Sequence, residues 1–199
     1  MKKIFISLLL IGALFAPVFA DSDDDVSERT TSAPEKLIGF GPGLRISVLG
    51  LEPTFAVDIG NLELEAACAL SSGVTGKQFG FAPSFSVAYN SNPFEKGMAA
   101  TFGLEYMYLT PAYTAVLTDM FDDDSNSSTP GIHALSLFYR GGFNFNHVFG
   151  LLWRVRMPLI IGGSQDGESF NMNITNLPGF FGCLLVGVCT ISIGVKFEF

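Results

Sequence analysis

The chain has 199 residues, 48% of them hydrophobic and 15% charged, with a formal net charge of −8. A soluble domain of this size carries about 25% charged residues, so this one is short of ions for a water-facing surface. The acidic balance disfavours a nucleic-acid partner, because phosphate binding needs a basic face.

Residues 1–20 read as an export signal. Lys2 and Lys3 give a positive start, Ile4 to Phe15 form an apolar run, and Val18-Phe19-Ala20 offers a cleavage site before Asp21. The run is too short for a spanning anchor. Without Lys2 and Lys3, nine Lys and Arg remain against nineteen Asp and Glu, a balance of −10. The first cysteine is Cys68, too distant to carry a lipid at the cleavage point. Cys68, Cys183 and Cys189 fit neither a zinc ligand set nor a disulfide framework and read as small apolar residues, with a Cys183–Cys189 bridge as the alternative.

Residues 21–36 hold six acids and two bases and form a solvated segment ahead of the folded domain at 37–199. Asp21, Asp23 and Asp25 have the opening spacing of a calcium loop without its later Gly and Glu, so no metal is expected there.

From Gly39 onward the hydrophobic period is two, the signature of half-exposed strands. Residues 39–48 set Phe40, Leu44, Ile46 and Val48 against Gly41, Gly43, Arg45 and Ser47. Residues 51–59 set Phe55, Val57 and Ile59 against Thr54, Ala56 and Asp58, and Gly60-Asn61 then makes a two-residue hairpin turn. Residues 62–70 oppose Leu62, Leu64, Ala66 and Cys68 to Glu63, Glu65 and Ala67. The fourth segment alternates most cleanly: Phe79, Phe81, Pro83, Phe85, Val87 and Tyr89 interleave with Gly80, Ala82, Ser84, Ser86 and Ala88. Residues 98–109 place Phe102, Leu104, Tyr106 and Tyr108 opposite Thr101, Gly103 and Glu105. Residues 134–146 and 151–161 continue the pattern, with Arg140, Arg154 and Arg156 on the polar side. The chain ends on Ile191, Ile193, Val195, Phe197 and Phe199, opposite Ser192, Gly194, Lys196 and Glu198.

These eight segments are near the length a tilted strand needs to cross a bilayer. Short turns at 60–61, 90–97 and 147–150 alternate with loops at 71–78, 110–131 and 162–178, which puts both termini on the short-turn side. The expected fold is therefore all-β, a closed antiparallel transmembrane β-barrel of eight strands.

Charge decides which face is which. Arg45, Asp58, Glu63, Glu65, Glu105, Arg140, Arg154, Arg156, Lys196 and Glu198 all share the polar parity. Five bases and five acids can pair across a narrow lumen, whereas one Arg or Lys on the lipid face would cost about 2–4 kcal/mol. A polar face of Gly, Ala and Ser in the fourth segment suits a lumen better than water. Tyr89, Phe145, Trp153 and Phe199 fall near the short-turn rim, and Phe79, Tyr106 and Tyr108 near the other, as two interfacial aromatic girdles. One stretch competes: Leu177 to Val195 approaches the length and hydrophobicity of a spanning helix, but its glycines, Pro178 and the period of two after Cys189 favour strand or loop.

The ending Ser192-x-Gly194-x-x-Phe197-x-Phe199 resembles the C-terminal assembly signal of bacterial outer-membrane barrels. The resemblance implies recognition by the barrel assembly machinery, contact with outer-membrane lipid, and closure of the last strand on the first. More broadly the chain is similar in architecture to small eight-stranded outer-membrane proteins, both OmpX-like surface barrels and OmpW-like conduits for small hydrophobic molecules. That likeness implies a bacterial outer-membrane location, long loops outside and periplasmic termini.

Enzymatic chemistry finds little support. His133 lies at the loop end of its segment, near Asp122, Asp123, Asp124, Ser127 and Ser128, but these acids and serines form a low-complexity run with no nucleophile motif. No catalytic, cofactor or metal site is expected. The long loops are apolar, and Tyr113, Val116, Leu117, Met120, Phe121, Phe170, Met172, Ile174 and Leu177 are candidates for a hydrophobic funnel above the charged lumen. The expected function is a narrow conduit or binder for a small hydrophobic ligand, with Pro83 and Pro158 weakening wall seams. The alternative is a surface barrel or adhesin without transport.

Overall fold

The computed structural model describes residues 38–47, 50–72, 79–91, 96–121, 129–146, 148–165, 168–175, 179 and 191–199. The expected export signal and acidic segment, Asp122 to Ser128, Leu177, Cys183 and Cys189 lie outside the described residues.

Alternating side chains produce strands, and the strands produce a ring. They are β1 (Ile38–Ser47), β2 (Gly50–Ile59), β3 (Leu62–Ser72), β4 (Phe79–Asn90), β5 (Gly97–Leu109), β6 (Gly131–Asn144), β7 (Phe149–Gln165), β8 (Glu168–Asn173) and β9 (Ser192–Phe197). Each strand from β1 to β7 pairs antiparallel with the next. β9 then pairs with both β7 and β1, so eight strands close an antiparallel barrel, and β8 continues from β7 as a hairpin. Closure leaves the ring no open edge.

Local chemistry fixes the ends. Gly60, at φ 57°, takes the left-handed conformation that a tight hairpin requires. The neighbouring Asn61 donates from Nδ2 to the Asn90 carbonyl at 2.8 Å. Between β6 and β7, Asn146 Oδ1 accepts the amides of Val148 and Phe149 at 2.8 and 2.7 Å.

Two expected loops carry regular structure. Residues 111–121 form helix α1 (Pro111–Phe121). Thr110 caps it, its Oγ1 accepting the Tyr113 amide at 3.3 Å while donating to the Phe81 carbonyl at 2.6 Å. Pro111 occupies the first helical position, where a missing N–H costs nothing. Of the residues expected as loop, 162–165 extend β7 and 168–173 form β8, with a ladder reaching Gln165↔Glu168. The competing spanning-helix reading is replaced over residues 192–195 by strand β9.

One strand departs from strict alternation. The β6–β7 register jumps between Leu135 and Ser136, whose partners are Ile160 and Pro158. The bulged residue, Leu159, follows a proline that has no N–H to give the ladder. Beyond it the parity inverts, so Ile161 is buried inward while Ile160 faces out.

Candidate functional site in the barrel lumen

The barrel is inside-out for a water-soluble protein. Phe40, Phe55, Phe81, Phe85, Phe102, Leu104 and Ile193 face outward and are about half exposed or more, while Arg45, Asp58, Glu65, Glu105, Arg140 and Arg154 face inward and are buried. Ions inside and hydrocarbon outside are stable together only when the surroundings are apolar. This arrangement defines a closed antiparallel transmembrane β-barrel.

All ten charges selected by parity are brought together in the lumen, and an eleventh joins them. Glu52, 2% exposed, shares the inward parity of Thr54 and Asp58 on β2 and was missed by the sequence reading. The network has two tiers. Toward the loop side, Arg45 pairs with Glu52 at 3.0 Å and with Glu65 at 2.7 Å. Arg156 pairs with Glu105 at 2.6 Å and also reaches Glu52. Arg154 sits between them, bonded to Glu65, with its guanidinium 3.6 Å from the centre of the Phe138 ring.

Toward the short-turn side, Lys196 pairs with Asp58 at 2.7 Å and Glu63 at 3.2 Å and lies 3.7 Å from Glu198. Arg140 bonds Glu63, donates to Thr101 Oγ1 at 3.0 Å, and links the tiers through Glu65 at 3.4 Å. Six acids now face five bases. Asn90, Thr101, Asn144, Lys196 and Glu198 line a polar recess at this end.

Helix α1 covers the other end. Tyr113 is buried against Ala69, Ala82 and Met107, which with Gly80 are the small or slender inward residues that make room for it. Val116 is fully buried beside it. Leu117, Met120 and Phe121 belong to the same helix, though their side chains lie outside the described set. Phe170, Met172 and Ile174 pack on a second cluster around Ala134 and Ile161. The described funnel candidates therefore form two packed clusters at the loop-side mouth. Replacing Tyr113 with Ala is expected to destabilise the closed mouth by about 3 kcal/mol, since a buried aromatic leaves a cavity. Faster protease cleavage near α1, with an unchanged barrel, is the measurement that checks it.

The C-terminal residues complete the wall. Ser192 and Gly194 point inward, Phe197 and Phe199 outward. Phe199 exchanges two backbone hydrogen bonds with Phe40, at 2.9 and 3.2 Å. His133 faces out of the barrel, away from the lumen, with Nδ1 hydrogen-bonded to the Tyr106 hydroxyl at 2.5 Å.

No protein-family model and no curated protein sequence matches the chain. Two solved structures resemble its fold. One is the N-terminal β-barrel domain of Pseudomonas aeruginosa OprF, with 11% identity, covering 81% of this chain and 96% of that one, at a TM-score of 0.43. The other is a major outer membrane protein from Thermus thermophilus, with 14% identity, covering 81% and 99%, at a TM-score of 0.35. Both are distant, and the class follows from the closed ladder and the face pattern rather than from them.

Proposed function

We propose that the chain is an integral outer-membrane barrel with a sealed axis, acting as a membrane-embedded structural or surface-presenting protein rather than as an open channel. The observation that carries this is the buried two-tier ion network beneath helix α1, which fills the axis of the ring. An ion passing along it would have to break pairs that lie out of water, and each such ion carries a desolvation cost of several kcal/mol. Export by residues 1–20, recognition of Ser192, Gly194, Phe197 and Phe199 by the assembly machinery, and loops directed outward belong to the same proposal. Purified barrel in a planar lipid bilayer is expected to give no stable conductance steps. Sustained steps in the wild-type protein would overturn the sealed-axis reading.

A second reading, an OmpW-like binder or conduit for small hydrophobic molecules, is favoured by the apolar cluster at the loop-side mouth, where Phe170, Met172 and Ile174 meet Ala134 and Ile161. Uptake of a hydrophobic solute by barrel-containing liposomes, lost on Phe170→Ser, would carry that reading. Host-cell binding without uptake would favour an adhesin.

A further inference from the structure

We propose that the outer wall carries a docking site for the phosphate of a lipid in the loop-side leaflet, built from His133, Gly162 and Asn171. It rests on the membrane-spanning reading and adds a specific ligand class to it.

The ladder sets four outward residues in one row across the sheet. Tyr108 pairs with His133, His133 with Gly162, and Gly162 with Asn171. The imidazole is held in place from one side. It stacks on Tyr108 at 4.7 Å between centroids, and Nδ1 is engaged by Tyr106. When the tyrosine hydroxyl donates to Nδ1, the ring proton resides on Nε2, leaving that nitrogen as a donor not committed to Tyr106. On the other side Gly162 contributes no side chain, and a Cβ there would meet only the Phe170 carbonyl, at 3.5 Å. Asn171, exposed, stands beyond it with a carboxamide donor. Adjacent strands are ~4.8 Å apart, so the imidazole and the carboxamide flank a bare notch ~10 Å wide. A phosphate group fits that gap and accepts from both sides.

The rows below and the depth of the site identify the phosphate as part of a lipid. In the next outward row Leu135 pairs with Ile160, an apolar surface for acyl chains flanked by Tyr106 and Asn173. Along β6, His133 stands ten residues from Phe143, which belongs to the lower aromatic group with Phe145 and Phe149. At ~2.5 Å of height per residue in a strand tilted ~40°, that places His133 ~25 Å above it, the full height of a barrel's apolar band. The notch therefore lies at headgroup level with hydrocarbon directly beneath.

The test uses the full chain refolded in detergent micelles, with lipid retention read by native mass spectrometry. The probes are dioleoyl phosphatidic acid, dioleoylglycerol and inorganic phosphate. The wild type is expected to retain one phosphatidic acid and neither of the other two. His133→Phe keeps the ring stack but lacks the donor, and is expected to lower retention about tenfold, the value of one charge-assisted hydrogen bond. Gly162→Leu, which fills the notch and leaves His133 in place, is expected to abolish it. Heat-modifiable gel mobility establishes that each variant is a folded barrel. Equal retention by wild type and both variants overturns the site, as does equal retention of dioleoylglycerol. Binding of inorganic phosphate as well as the lipid replaces it with a free-anion site. A wild type without heat-modifiable mobility overturns the membrane reading and the site together.

Discussion

Replacing Glu65 with Gln is expected to lower the unfolding free energy of the barrel by about 3–5 kcal/mol. Glu65 accepts from Arg45 at both oxygens, at 2.7 and 3.0 Å, from Arg154, and from Arg140 at 3.4 Å. Neutralising it leaves four buried guanidiniums, those three and Arg156, to share Glu52, Glu63 and Glu105, so the loss comes from stranded charge rather than from one contact. Salt should rescue little, because buried pairs are weakly screened. Lys96→Gln, at an exposed position, changes the formal charge by the same magnitude and should move stability by less than about 0.5 kcal/mol. Urea unfolding in lipid vesicles, followed by Trp153 fluorescence, makes the comparison. Equal midpoints would mean that water in the lumen solvates the arginines.

Gly194→Leu is expected to abolish most barrel formation. A Cβ on Gly194 would lie 2.3 Å from the Leu44 backbone oxygen and 2.8 Å from the Arg45 Cα, and backbone cannot move aside while Arg45↔Gly194 remains paired. The clash falls on the short ladder that joins β9 to β1. Deleting Phe199 attacks the same junction by removing both of its hydrogen bonds to Phe40. Ile193→Leu, one residue away on the outward face, should fold normally. Heat-modifiable gel mobility reads all three. Wild-type yields of folded Gly194→Leu would mean that closure tolerates a wider gap than the ladder shows.

The wall was legible because its rule is local and repeats. From Phe79 to Tyr89 every second residue faces outward, and the same parity assigns Arg140, Arg154 and Glu105 to the lumen. Glu52 follows that rule too, and extending β2's parity by one step past Thr54 would have found it. The helix was signalled by Thr110-Pro111, a cap followed by the proline of a first turn, but an apolar segment between two strands also reads as a greasy loop. Asp166-Gly167 is likewise a dipeptide type that favours hairpins, and the flanking Gln165 and Glu168 are paired. The bulge at Leu159 was not legible in this way. Pro158 warned of a broken ladder, yet which residue would be extruded depends on the partner strand. Partners within the ion network depend on it in the same way, since parity gives the face and register gives the neighbour.

Pairing of Arg45 with Gly194 joins the two ends of the folded chain, and this sets the order of events during folding. Loop-closure entropy grows with the length of chain enclosed, so this contact is the costliest in the ring to form and is rewarded only after most other ladders exist. Until β9 docks, the outer edge of β1 presents unpaired amides and carbonyls beside Phe40, Leu44 and Ile46. Such an edge is a template for any passing strand, including another copy of this chain. The vulnerable interval of folding is thus set by the docking of β9, and a wall lacking that strand would be nearly complete and also an aggregation seed.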